Sequence, residues 1–263
     1  MATSIGYSAR MNDAPLDTTL EPLVWVSDLG KRYGTHVALD GLCFELHAGE
    51  VVGLLGPNGA GKTTTLKLLL GLLCPTHGHA RILGLDCTRD SQQVKERIGF
   101  TPDEPQFYDF LTGRETVDFV ISARGLDAQA AWKTADECVA LLELGPQLSA
   151  LTSSYSLGMK KKLALLCALV HRPRVLLLDE PTNGLDPPTA HRVRELLRAQ
   201  AAQGATVLLS THLLDMADRM CDRMLVIDHG RSIGSGTAAA LRVQAGVPPS
   251  ASLEEAFLRL VGA

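Results

Sequence analysis

The run Gly56-Pro57-Asn58-Gly59-Ala60-Gly61-Lys62-Thr63 lies between a short apolar stretch, Val51–Leu55, and a set of leucines, Leu66, Leu69, Leu70 and Leu73, at helical spacing. It fits G-x-x-x-x-G-K-[ST], the loop whose backbone N–H groups wrap a nucleotide's phosphates. A buried strand stopped by polar loop residues, followed by an amphipathic helix, is the context that such a loop needs. Gly56, Gly59 and Gly61 permit the bends that turn successive N–H groups inward. Lys62 adds a point charge for the outer phosphates, the helix supplies its positive end, and the Thr63 hydroxyl can ligate Mg²⁺. Pro75 is expected to end that helix.

The rest of the chain reads as an α/β phosphate-binding core, a mixed sheet flanked by helices, with a helical insert at about 101–170. Leu23–Val26 and Gly41–Leu46 read as short strands. Thr112-Gly113-Arg114-Glu115 has the form of a capping box ahead of a helix at Val117–Ala123. Ala128–Leu142 reads as a second helix, and Ser156 is placed to cap a third, Leu157–Val170. Sheet pattern returns at Val175–Leu178, then Asp186-Pro187 starts a helix, and Thr206–Leu209 is another buried strand. Leu213–Cys221, Arg223–Ile227 and Leu253–Leu260 read as helix, strand and a short amphipathic helix. The division is a loose tail over 1–22, the phosphate-binding domain over 23–240 and a helical extension over 241–263.

Three further groups carry chemistry. Asp179 and Glu180 close a buried strand, where one carboxylate can reach the ion held by Thr63 and its neighbour can polarise an attacking water. His212 ends the next strand, where an imidazole can donate a hydrogen bond to a γ-phosphate, although a lone histidine is more often structural. His36, His47, His77 and His79 have no comparable setting and are assigned nothing. The last group is the helix opened by Ser156, whose first turns hold Lys160, Lys161 and Lys162. Cations there oppose the helix dipole. An anion at the helix start would remove the conflict; three solvated lysines on one face would tolerate it. Ser156 and Gly158, small residues that leave the helix mouth open, favour the anion. A second copy of the domain resolves how such a helix reaches a phosphate, with the glycine loop from one copy and the serine helix from the other.

Composition excludes some classes. Net charge is −4, from 25 Lys+Arg against 29 Asp+Glu, unlike the basic surface of a general nucleic-acid binder. The six cysteines, at positions 43, 74, 87, 138, 167 and 221, include no C-x-x-C pair and read as reduced, packed thiols. No stretch approaches the roughly 18 apolar residues of a membrane span, and Met1–Pro22 has no signal-peptide core.

Together, Gly56–Thr63, Tyr155–Met159, Leu176-Leu177-Leu178-Asp179-Glu180-Pro181, Asn183-Gly184-Leu185-Asp186 and Ser210-Thr211-His212 resemble the motifs of the ATP-binding subunit of ABC transporters, in that family's order. The resemblance implies a P-loop NTPase that binds ATP and Mg²⁺ and hydrolyses ATP to drive a separate permease. It makes Lys62 and Thr63 phosphate and Mg²⁺ ligands with Thr64 beside them, Asp179 an indirect holder of the ion and Glu180 the catalytic base. His212 becomes the γ-phosphate switch, Ser156 and Gly158 serve the partner's ATP, Asp186 lies in a loop communicating across the dimer, and Tyr33 matches the aromatic that stacks on adenine. Two departures stand out. The signature, usually LSGGQ, reads Tyr155-Ser156-Leu157-Gly158-Met159, and Asp103 stands where the family commonly has a metal-contacting glutamine, with Gln106 as a nearby alternative. These departures and Ser252–Leu258 resemble the ABC-2 group, whose members are usually exporters. The family's permease is expected near Asp103–Leu111 and the helical insert, the second subunit to be another copy, and the site of action to be the cytoplasmic face of the cell membrane, with no nucleic acid involved. The alternatives are a soluble ABC ATPase acting on nucleic acid or ribosomes, and a P-loop kinase, which would leave the serine helix and Ser210-Thr211-His212 unexplained.

Overall fold

The computed structural model describes residues 21–262, so the tail assigned to 1–22 lies, but for Glu21 and Pro22, outside the described residues. In chain order the elements are β1 (Val24–Tyr33), β2 (His36–Leu46), β3 (Val51–Leu55), α1 (Lys62–Leu69), β4 (His77–Ile82), β5 (Leu85–Asp86), α2 (Ser91–Arg97) and β6 (Ile98–Thr101). Three helices follow: α3 (Gly113–Ala123), α4 (Ala128–Leu142) and α5 (Leu157–Leu169). The chain then returns to β7 (Val175–Asp179), α6 (Pro187–Ala202), β8 (Thr206–Thr211), α7 (Leu214–Met220), β9 (Arg223–Asp228), β10 (Arg231–Gly236), α8 (Ala238–Gln244) and α9 (Leu253–Val261).

The strands form two sheets. Six make a mixed sheet in the order β10-β9-β3-β8-β7-β6, parallel except for β10. A smaller antiparallel sheet, β2-β1-β4-β5, packs over one face of it. Because the central strands are covered on both sides, they are buried at every position, and β7 and β8 carry unbroken apolar runs at Val175–Leu178 and Val207–Leu209. On β3, Val52 and Leu54 join one core with the antiparallel sheet and α1, while Val51 and Leu55 join another with the helical side. On β7, Val175 and Leu177 divide from Leu176 and Leu178 in the same way.

The parallel arrangement positions the site. Leu55 pairs with Thr211, Asp179 with Ser210, and Thr101 with Leu178, so β3, β8, β7 and β6 end at one edge of the sheet. Loops leaving the carboxyl ends of parallel strands form the crevice where α/β folds bind ligands.

The three expected caps are present. The Thr112 hydroxyl accepts from the Glu115 amide while the Glu115 carboxylate accepts from the Thr112 amide, closing the capping box of α3. Ser156 accepts from the Met159 amide at the start of α5, and Asp186 from the Thr189 amide at the start of α6. One helix end differs from expectation: α1 stops at Leu69, before Leu73 and Pro75. Gly71 turns the chain in the left-handed region at φ 62°, leaving Leu72 exposed. The cysteines also differ in part: Cys87, Cys138 and Cys221 are buried, but Cys43 and Cys74 are exposed, and all six are free thiols. Among the described residues, no helix is long and apolar enough to cross a membrane.

Candidate active site

A cavity of about 460 Å³ opens at the sheet edge where β3, β7 and β8 end. Its floor is the glycine loop and the first turn of α1, where Asn58, Gly59, Gly61, Lys62, Thr63 and Thr64 line the wall. Gly56 underlies the loop, where a Cβ would sit 2.3 Å from the Ile227 carbonyl oxygen and 2.9 Å from the Ala60 Cβ, so no larger residue fits. The loop is therefore drawn tightly against β9, and the start of α1, the positive end of its dipole, lines the cavity. Pro57 and Ala60 belong to the loop without facing the cavity; Ala60 is buried, and its amide donates to the Pro57 carbonyl.

Lys62 is buried, and its ammonium donates to the carbonyls of Gly56 at 2.6 Å and Pro57 at 3.1 Å. Burial pushes its pKa down, and the nearby Glu180 and Asp179 carboxylates pull it part of the way back. The Thr63 hydroxyl donates to Asp179 Oδ2 at 3.0 Å, while the other Asp179 oxygen accepts from the Ser210 hydroxyl. This hydroxyl–carboxylate pair at the cavity floor suits Mg²⁺, which takes one or two protein groups and fills its shell with substrate phosphates and water. Among the described residues there is no cluster of three or more His, Cys, Asp or Glu that could cage a metal by itself.

Glu180, buried at the mouth of β7, has its backbone in the left-handed region at φ 46°. Its carboxylate accepts from the Thr211 hydroxyl at 3.1 Å and lies 2.7 Å from His212 Nδ1. Asp179 and Glu180 thus diverge, one to Thr63 and the other, past the left-handed turn that ends the strand, to His212. Tyr33, at the end of β1, lines the outer wall, with the Lys31 ammonium 5.1 Å from the centre of its ring.

Asp103 lines the cavity as the resemblance implies, and Gln106 does not. However, Asp103 is already engaged: its Oδ1 accepts from Lys161 Nζ at 2.9 Å. Lys161 thus departs from the picture of three solvated lysines, being buried while Lys160 and Lys162 are half-buried. His36, assigned nothing from sequence, lines the cavity beside Tyr33, as does Asn183. The hairpin register that pairs Tyr33 with His36 brings it there.

Ser156, Gly158 and Asp186 do not line this cavity. The start of α5 is exposed, and Leu157 packs beside the loop at Gly184. Asp186 caps α6, and the Thr189 amide and hydroxyl hold its carboxyl below the usual carboxylate range.

A glycine loop, a hydroxyl–carboxylate pair and a glutamate with a histidine at the end of parallel strands have the chemistry to hold and hydrolyse a nucleotide, and comparison with known proteins gives the lineage of the chain. The ABC transporter family model matches residues 39–183. The chain belongs to the ABC transporter family. It is 40% identical to Nod factor export ATP-binding protein I of Burkholderia orbicola, over 88% of this chain and 73% of that protein. A solved structure of the ATP-binding subunit of an ABC transporter superposes with a TM-score of 0.85 at 34% identity, covering 90% of this chain and 99% of the other. A dimeric ATP-binding cassette, MJ0796, in a post-hydrolysis state with ADP and Pi, superposes at 0.74 with 25% identity, over 81% of this chain and 98% of that one. The chain is thus an ABC transporter ATP-binding subunit, an ATPase that binds its nucleotide as this family does.

Proposed function

We propose that this ABC subunit powers export through a separate ABC-2-type permease, working as an ATP-sandwich dimer on the cytoplasmic face of the cell membrane. Residues 23–240 form the ATPase domain, with the helical insert at about 101–170, and 241–263 form its extension. Lys62 and the loop amides hold the phosphates, Thr63 and Asp179 hold Mg²⁺, Tyr33 stacks on adenine, Glu180 takes the proton of the attacking water and His212 touches the γ-phosphate. Bound Mg²⁺ would offset the charge developing on the phosphates. Asp103 stays with Lys161 rather than serving as a direct metal ligand.

The observation that carries the dimer is the position of Ser156. It caps the exposed start of α5, outside its own chain's cavity. A second copy, placed so that each helix start faces the other's glycine loop, closes both sites and gives Ser156 and Gly158 a phosphate to meet. Ser156→Arg puts a long cation in that closed space. It is expected to reduce hydrolysis to the level of an isolated site while ATP affinity of the same subunit is unchanged. Full turnover in the variant would count against a site completed by two copies.

An apolar groove lined by Leu70, Leu72, Ile98, Phe100 and Phe119 supports the permease contact. Beside it Tyr108 lies 5.9 Å from Phe119 and 5.6 Å from Phe110, ring centre to ring centre, and all three rings are exposed. Exposed aromatics around a groove mark an interaction surface that water does not cover well. The export relative named above supports the direction of transport. Phe119→Asp, at a site exposed enough to tolerate it, is expected to move most of the chain from the membrane fraction to the soluble fraction of its native cell. The ATPase of the isolated chain should not change; continued co-purification with membranes would place the permease contact elsewhere.

A further inference from the structure

Lys161 is, besides Lys62, the one buried lysine among the described residues. Burial strips an ammonium of water and is tolerated only where its donors find partners. Lys161 Nζ has two: Asp103 Oδ1 at 2.9 Å and the backbone carbonyl of Glu180 at 2.7 Å. They are unequal. The Asp103 side chain is 45% exposed, whereas that of Lys161 is 3% exposed, so the aspartate is largely a solvated counter-ion. The carbonyl belongs to a residue whose left-handed backbone persists only where its surroundings over-determine it. The Asn183 amide also donates to that carbonyl, more distantly, at 3.3 Å.

We propose that Lys161 is a positioning residue for hydrolysis: its ammonium grips the Glu180 carbonyl and so aims the Glu180 carboxylate, with Asp103 balancing the charge. The inference rests on the reading of Glu180 as the base. It adds a link between two surfaces of one chain. Helix α5 exposes Ser156 at its start and, further along, holds the catalytic strand end through Lys161. When a second copy presses on the start of α5, the displacement reaches Glu180 directly. The same pair explains why an aspartate is accommodated at position 103, since its charge is met by Lys161 before any nucleotide arrives.

Lys161→Met keeps an unbranched apolar stem, one atom shorter, and removes the donors. A misplaced base costs about 100-fold in rate, and kcat is expected to fall by that amount with KM for ATP unchanged. Calorimetry with MgATP should give the parent affinity, and sizing with ATP should still show the dimer. Lys161→Arg, which keeps a cation, should recover most of kcat. In a Glu180→Gln background, Lys161→Met should not lower the residual single-turnover rate further, because both act through one carboxylate. A parent-like kcat in Lys161→Met overturns the proposal, as does ATP affinity lost in parallel with rate, an additive loss in the double variant, or failure of both Met and Arg variants to fold. If Glu180→Gln itself keeps its turnover, the base assignment fails instead, a result separable from any of these.

Discussion

Glu180→Gln is expected to bind ATP as the parent does, to hydrolyse almost none of it and to accumulate as a dimer. The substitution changes one oxygen to an amide nitrogen without changing shape. The Thr211 hydroxyl can still donate to the remaining oxygen, and the side chain keeps its place at the mouth of β7. What is lost is the ability to accept a proton from water, and a positioned general base contributes about 10²–10⁴-fold to rate. Because the carboxylate is held by Thr211 and His212 at the cavity wall rather than solvated, no neighbouring group within that wall is equally placed to substitute for it. Asp179 is committed to Thr63 and Ser210, and Asp103 to Lys161. The loss should therefore fall toward the upper end of that range, entirely in kcat. With hydrolysis blocked, ATP continues to bridge the two copies, and mass action draws the chain into the dimer. Steady-state ATPase assays, with sizing in the presence and absence of MgATP, test both parts. A variant that turns over normally removes Glu180 from the chemistry. A variant that is inactive yet monomeric with ATP leaves the base assignment standing and removes the sandwich.

How much of this arrangement could be read from the chain depended on the distance over which each feature is determined. The glycine loop, the caps at Thr112, Ser156 and Asp186, and the apolar runs of β7 and β8 are set by neighbours within a few residues. The smaller sheet is not. β4 reads His-Gly-His-Ala-Arg-Ile and acquires its meaning only when Val24 meets Ile82 and Val26 meets Ala80 across more than fifty residues of chain. The register shifts in β1 between Val26 and Arg32 further blur its alternation, so only its first residues read as strand. His36 could not be told from the other histidines until the hairpin placed it opposite Tyr33. Lys161 was hidden for a different reason. Helix α5 is buried nearly all round through Leu163, Ala164, Leu165, Leu166, Ala168 and Leu169, so it has no distinct polar face from which an inward lysine would depart. Three lysines in a row gave no sign of which one turns inward; the partners that decide it, Asp103 and the Glu180 carbonyl, come from two other segments.

Lys62→Ala should lose nucleotide binding rather than turnover alone. In the present structure the ammonium closes the loop upon itself through the Gly56 and Pro57 carbonyls, which places a positive charge within the loop that a phosphate would enter. A hydrogen bond to a charged group contributes about 1.5–3 kcal/mol, which by itself is roughly 10- to 100-fold in affinity. Removing the lysine does more than delete that contact. Asp179 and Glu180 face the same cavity, and without the intervening cation their carboxylates stand against the incoming phosphates. Repulsion adds to the lost attraction, so affinity is expected to drop by about 100-fold or more. The fold should survive, because Leu66, Leu68 and Leu69 still anchor α1 in the core and the space that Lys62 vacates belongs to the open cavity. Thermal melting separates the two effects: MgATP should raise the melting temperature of the parent and leave that of Lys62→Ala where it was, since a ligand stabilises only the state that binds it. An unchanged affinity, measured by calorimetry on a variant that melts like the parent, would mean that phosphates do not lie over this loop, and the roles given to Thr63, Asp179 and Glu180 would fall with it.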